Sequence, residues 1–203
     1  RQMCIRDSCT VERLMKKLGI QGIRRGAFKV TTSSNKNATR PKDLVDRDFT
    51  VAAPNRLWVA DFTYVAIWSG FVYVAFIVDA YARRIVGWNV SRRMNTALVL
   101  DALEMALWQR NPDGELIHHN DAGVQYLSIA YSERLEEAGI AASVGSVGDA
   151  YDNALAETIN GLYKAEVIRH MGPWKGFDDV EYSTLEWVDW YNNCLLYTSD
   201  AAD

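Results

Sequence analysis

Three acidic residues stand out in this chain of 203 residues because of where they sit. Asp61 interrupts the apolar run LWVADFTYV (57–65). Asp121 follows directly on LIHHN (116–120). Glu157 lies in GDAYDNALAETINGLYKAEVI (148–168), with 35 residues between it and Asp121 and 59 between Asp61 and Asp121. Three carboxylates at the middles or ends of regular elements suit a two-metal phosphoryl-transfer site, because Mg²⁺ is a hard cation that takes oxygen ligands and keeps some of its waters. Substrate phosphates would complete such a shell, with the ions roughly 3.5–4 Å apart. Each acid also has a plainer reading. A buried Asp61 could be neutralised by an Arg, since a lone carboxylate in so apolar a strand is costly. Asp121 stands in Asn-Asp-Ala-Gly, which is good turn chemistry.

The strings WVADFTYV, GFVYVAFIVDAYARRIVGW, HHNDAGVQY and DNALAETINGLYKAE resemble the integrase-type catalytic core of bacterial insertion-sequence transposases. The likeness is to the second-frame product of the IS-three family in particular, itself similar to retroviral integrase. It covers roughly residues 10 to 193, and the D,D-35-E spacing of the family is met. The resemblance implies a ribonuclease-H-like α/β fold, a mixed five-stranded sheet flanked by helices, with a short basic N-terminal helical arm. It implies a polynucleotidyl transferase that cleaves and joins the ends of its own insertion element. Asp61, Asp121 and Glu157 would be both catalytic residues and the ligands of two Mg²⁺ ions, with Mn²⁺ able to substitute. The implied partners are DNA, as element ends and target, and further copies of the chain assembled on DNA. No covalent protein–DNA intermediate is needed.

The family pattern usually reads His-Ser-Asp-Arg/Gln-Gly-Ser/Val-Gln-Tyr. Here Asn120 replaces the Ser and Ala122 the basic or amide residue, which keeps the acid and removes a flanking DNA contact. Lys164 is seven residues beyond Glu157 and so lies almost above it on one helix face. The resemblance places a DNA-contacting Lys or Arg on this helix; the plainer reading is a solvated Lys on an amphipathic helix. Asn153 and Asn160 are candidates for orienting the acid or touching the DNA strand end, and Arg24 and Arg25 for holding DNA from the arm. His118 and His119 make no zinc site, as no second pair stands at ligand spacing; they read as strand packing that orients Asp121. Two other functions fit the same residues: a ribonuclease-H-like nuclease that hydrolyses without joining, and an inactive DNA-binding remnant, favoured by Asn120 and Ala122.

The elements that must position these groups follow from patterning. Residues 57–67, 71–81 and 83–90 are rich in Val, Ile, Phe, Tyr and Trp and are divided by short turns, which predicts an antiparallel meander. Apolar residues at helical spacing over 95–110 predict a helix that stops at Asn111-Pro112-Asp113-Gly114. A short strand over 115–120, a helix over 127–138, a strand over 140–144 and helices near 152–169 and 177–192 complete the order. Three strands, helix, strand, helix, strand, helix is the ribonuclease-H-like succession.

Residues 1–8 and 194–203 are expected to be adapter-derived and without a core role. Residues 1–8 can be back-translated to a string whose reverse complement encodes Cys194 to Asp200, and that string resembles a transposon-end adapter used in sequencing libraries. Setting them aside removes Cys4 and Cys194 and leaves Cys9, so neither a disulfide framework nor a cysteine zinc site survives. The natural segment then divides into a basic arm and linker (9–50), a remnant of a helix-turn-helix region, and a catalytic core (51–193). By the resemblance, the sequence after Asn193 and helices before Thr10 are missing. No run of 18 apolar residues is present, so no membrane span is predicted, and a bacterial cytoplasmic, nucleoid-associated location is expected.

Charge is divided sharply. Residues 10–42 carry nine Lys or Arg against one acid, whereas residues 43–193 carry 11 against 22. A basic arm on an acidic core suits a protein that holds nucleic acid with one part and cations with the other. DNA binding through the arm is therefore expected to weaken steeply with salt, log affinity falling linearly with log salt concentration in a fluorescence-anisotropy titration. An affinity indifferent to salt would mean that the arm is only a solvated tail.

Overall fold

A computed structural model describes residues 8–20, 41–46, 48–112, 114–121, 123–145 and 153–195. The β-branched and aromatic stretch forms three antiparallel strands, β1 (Leu57–Ile67), β2 (Gly70–Asp79) and β3 (Ile85–Ser91). Gly70 takes a φ of 135° at the first turn, a conformation that side chains disfavour. Two short strands, β4 (Ile117–Asn120) and β5 (Ala141–Val144), add in parallel to the other side of β1, giving the order β3-β2-β1-β4-β5.

The helices are α1 (Ser8–Leu18), α2 (Thr96–Arg110), α3 (Ile129–Glu137), α4 (Ala154–Tyr163), α5 (Arg169–Met171) and α6 (Phe177–Trp190). Asn95 caps α2 by accepting from the Leu98 N–H, and Asn111 ends it in the left-handed region at φ 38°. The continuous helix expected over 152–169 is interrupted by a π-helical turn, Lys164–Ile168, and a second such turn, Tyr191–Leu195, follows α6. Leu195 packs against the core while Cys194 is exposed.

Period-two alternation along β1 separates two cores. Leu57, Val59 and Val65 face a layer formed by α4 and α6, with Phe76, Tyr163, Trp187 and Tyr191. Trp58 and Ala60 face α2 and α3, with Leu98, Leu103 and Tyr131. The first layer also takes in part of the segment read as linker. Val45 is buried, Phe49 meets the His119 ring edge-on, and Leu44 N–H donates to Ser143 Oγ at 2.9 Å. His118 and His119 are buried, one bonded to Tyr131 Oη at 2.6 Å and the other to Ser143 Oγ at 2.8 Å, so both serve β4 as packing groups.

The sheet meets α2 most closely at Gly87, where an added Cβ would collide with the Ala102 carbonyl oxygen and lie 2.9 Å from Ala106 Cβ. Neither atom can withdraw without moving the helix. Gly87→Ala is expected to cost about 3 kcal/mol in denaturant unfolding, the upper end of ordinary overpacking. A loss under about 0.5 kcal/mol would show that α2 slides freely on the sheet.

Candidate active site

Strand register decides where the acids stand. β1 and β4 run parallel with Ala60 opposite Asn120, so the next residues, Asp61 and Asp121, lie side by side just past the end of the ladder. Neighbouring strands are about 4.8 Å apart, and in-register residues of a parallel pair point to the same face. That face is the one α4 covers. Leu155, Ala156, Ile159 and Tyr163 bury one side of α4 against the sheet and bring Glu157, half-buried, within electrostatic reach of Asp61 on β1. Asp121 is exposed.

Asp61 is the inner member. Its Oδ1 accepts from the Phe62 N–H at 2.8 Å and its Oδ2 from Asn160 Nδ2 at 2.7 Å. Burial raises its pKa to about 7 despite those two bonds, and the negative charges of Asp121 and Glu157 push it the same way. No Lys or Arg among the described residues forms an ion pair with it. The buried acid–Arg pair that could have explained Asp61 occurs elsewhere, between Asp79 and Arg110 at 3.4 Å.

The donors offered at the site are oxygens, and a half-buried carboxylate with no paired cation among the described residues, next to two more, could hold a hard divalent ion rather than a thiophilic one. Among the described residues no three His, Cys, Asp or Glu side chains close to the distance of a single ion. Mg²⁺ does not demand such a cage, since it is usually held by one or two carboxylates with waters and substrate phosphates.

Asn153 and Asn160 are both buried, and their amides are spent on β1: Asn153 Nδ2 donates to the Ala60 carbonyl at 3.0 Å and Asn160 to Asp61. Both side chains thus face β1, one toward a backbone carbonyl and one toward the Asp61 carboxylate. Lys164 is half-buried and begins the π-helical turn, two turns beyond Glu157. Asn120 is buried within β4, while Ala122, Arg24 and Arg25 lie outside the described residues. Sequence reasoning passed over Tyr126. Its hydroxyl is buried, has no hydrogen-bond partner among the described residues and lies in the field of Asp61 and Asp121; burial first, then Tyr131 and the two acids, hold it well above the usual phenol range. The motif string ends on it, and its spacing from Asp121 was the available signal.

A mixed sheet of this order, with one acid inside its first strand, a second just past the end of the neighbouring parallel strand and a third on the helix across them, defines the ribonuclease-H-like class of integrase catalytic cores. Residues 51–150 match the family described as Integrase core domain, and residues 138–194 match a second family of that description. A Mycobacterium tuberculosis (strain ATCC 25177 / H37Ra) protein that bears the name of transposase for insertion sequence element IS986/IS6110 is 58% identical over 194 residues, covering 93% of this chain and 70% of that protein. The transposase for insertion sequence element IS629 of Shigella sonnei is 58% identical over 188 residues, 93% of this chain and 62% of that one. Among solved structures, the HTLV-2 integrase catalytic core domain in complex with magnesium matches with a TM-score of 0.54 at 19% identity, over 70% of this chain and 87% of that one. The chain belongs to the insertion-sequence transposases that carry an integrase core.

The raised pKa of Asp61 fixes a sign. Between about pH 4, where an unfolded Asp loses its proton, and about 7, where folded Asp61 does, the folded protein holds a proton that the unfolded chain has released. Stability of the metal-free protein is therefore full below that window and falls as pH rises through it. Asp61→Asn removes the effect. The variant is expected to match the parent near pH 4 and to exceed it above pH 7, by on the order of 2–4 kcal/mol, in chelator-treated buffer. An equal difference at both ends of the range would mean that Asp61 is not buried as a lone acid.

Proposed function

We propose that Asp61, Asp121 and Glu157 hold divalent metal ions, Mg²⁺ or Mn²⁺, for cleavage and strand transfer of insertion-element DNA. The observation that carries this is the β1–β4 register, which sets Asp61 beside Asp121 and within reach of Glu157, with no cation among the described residues to offset Asp61. The magnesium complex of the HTLV-2 core, alike in fold, supports the choice of metal. The names of the relatives support the choice of DNA reaction.

Metal ions bound there supply a Lewis acid for the phosphodiester and lower the pKa of an attacking water or 3′-hydroxyl. The remaining work belongs to side chains. Phe62 N–H and Asn160 fix the plane of the Asp61 carboxylate, so its free lone pairs have one direction. Asp121 is the exposed member of the set and offers its charge to the solvent side, where DNA would arrive. The core around the strands keeps water from the inner side of Asp61 and so strengthens every electrostatic contact made there. We assign Lys164, Arg24 and Arg25 as contacts to DNA phosphates, with the arm giving affinity and the core giving chemistry. Assembly of several copies on DNA belongs to the same proposal.

Asp121→Asn keeps shape and removes charge. In a full-length transposase carrying this core it is expected to lower Mg²⁺- or Mn²⁺-dependent cleavage of element-end DNA by at least about 100-fold, with circular dichroism and DNA binding unchanged. Cleavage at the parent rate would end the two-metal proposal.

A further inference from the structure

Asn153 stands at the N-cap of α4, a position where an Asn side chain ordinarily accepts a bond from the first turn of its own helix. It makes no such bond and instead reaches the Ala60 carbonyl at 3.0 Å. Asn160 makes the matching contact one strand residue later, to Asp61 Oδ2 at 2.7 Å. Residues four before and three after Glu157 share its face of the helix. Two amides therefore bracket Glu157 and tie it to two consecutive residues of β1.

The Ala60 carbonyl accepts only, and so does the Asp61 carboxylate once ionised as metal binding requires, so in that state each amide presents its NH₂ group. That leaves Asn153 Oδ1 and Asn160 Oδ1 buried without hydrogen-bond partners among the described residues. A helix could be docked here more favourably by apolar side chains, as Leu155, Ala156 and Ile159 already do, without orphaned oxygens or a forgone cap. What apolar docking cannot do is fix a translation along the helix axis. Two directional bonds to adjacent strand residues can, and they set Glu157 against Asp61 while one of them also sets the Asp61 plane.

We infer that Asn153 and Asn160 are positioning residues that hold Glu157 in register with Asp61, so that the affinity of the acids for a divalent cation depends on both amide bonds. This rests on the metal-binding reading of Asp61, Asp121 and Glu157. Neither amide needs to touch DNA or metal. Each acts through the carboxylate it orients, as outer partners of metal ligands do elsewhere, where their loss costs about 10–100-fold in metal affinity.

The test separates positioning from helix stability by choice of side chain. Asn153→Ser supplies a good N-cap but is too short to reach Ala60, so it should keep or raise the melting temperature while weakening Mn²⁺ binding by about tenfold. Asn160→Ala should weaken Mn²⁺ binding by about as much. Binding is read by electron paramagnetic resonance titration of Mn²⁺ into the full-length transposase, beside the Mg²⁺ concentration that half-saturates cleavage. That concentration should rise in parallel, with cleavage largely restored at saturating metal. If Asn160→Ala fails to fold, Asn153→Ser carries the same test alone. Mn²⁺ binding equal to the parent's in Asn153→Ser overturns the proposal, as does a lowered melting temperature with unchanged affinity. Asp121→Asn serves as the reference. If it abolishes Mn²⁺ binding while the Asn variants bind normally, only the clamp fails; if it too binds and cleaves normally, the metal site itself fails and the clamp with it.

Discussion

The structure turns on keeping like charges together. The carboxylate of Asp61 is half-buried, is pushed up to a pKa of about 7 by desolvation, and has Asp121 beside it and Glu157 above it. Left to themselves these groups would move apart or take up water. The sheet prevents this because β1 is paired along its length with β2 and cannot shift by one residue without turning every apolar side chain to the wrong face. Phe76 is directly opposite Asp61 across that pair and heads an aromatic cluster with Tyr163 and Trp187, ring centroids 5.1 and 5.8 Å away. The low dielectric around the acid comes from these rings.

Asp79, at the other end of β2, shows what a buried carboxylate looks like when its role is structural. It is fully buried, accepts N–H bonds from Asn55, Tyr81 and Ala82 at 2.8, 2.9 and 3.1 Å, and meets Arg110. Every lone pair is engaged and a cation balances the charge, so the group holds the β2–β3 turn and has nothing left to offer a ligand. Asp61 has half as many donors, no cation among the described residues and two repelling neighbours. The same residue type on the same hairpin thus serves two ends, and the difference lies wholly in its surroundings.

What could be read from the sequence was what is local. The meander, the helix over 96–110 and the order of elements followed from period-two and helical patterning and from turn residues. Asp61 was legible because a charge after Leu57-Trp58-Val59-Ala60 breaks the apolar run, and the 35-residue interval from Asp121 marked Glu157 by resemblance. The register that sets Asp61 against Asp121 was not legible, since pairing between β1 and β4 links residues far apart in sequence. Nor were the bonds of Asn153 and Asn160, because an Asn on a helix looks the same whether it faces water, DNA or a carboxylate. The docking of Val45 and Phe49 escaped for a different reason: isolated apolar residues in a polar run have no period to betray them.

The helix that carries Glu157 is held by unlike devices at its two ends. Near Glu157 the bonds are polar and directional, from Asn153 and Asn160 to β1. Beyond it they come from the aromatic layer: Tyr163 Oη shares a bond of 2.7 Å with Thr184 Oγ1 on α6, and Trp187 Nε1 donates to Glu166 Oε2 at 2.7 Å. The π-helical turn from Lys164 to Ile168 lies between Tyr163 and α5, and Ala165 and Val167 within it are both buried. A π-turn adds one residue to the α-helical repeat, so the face that the chain presents beyond Tyr163 is offset from the face of α4 that carries Glu157. The contacts with α6 and the contacts with β1 are thereby made by separate faces of one continuous helical segment.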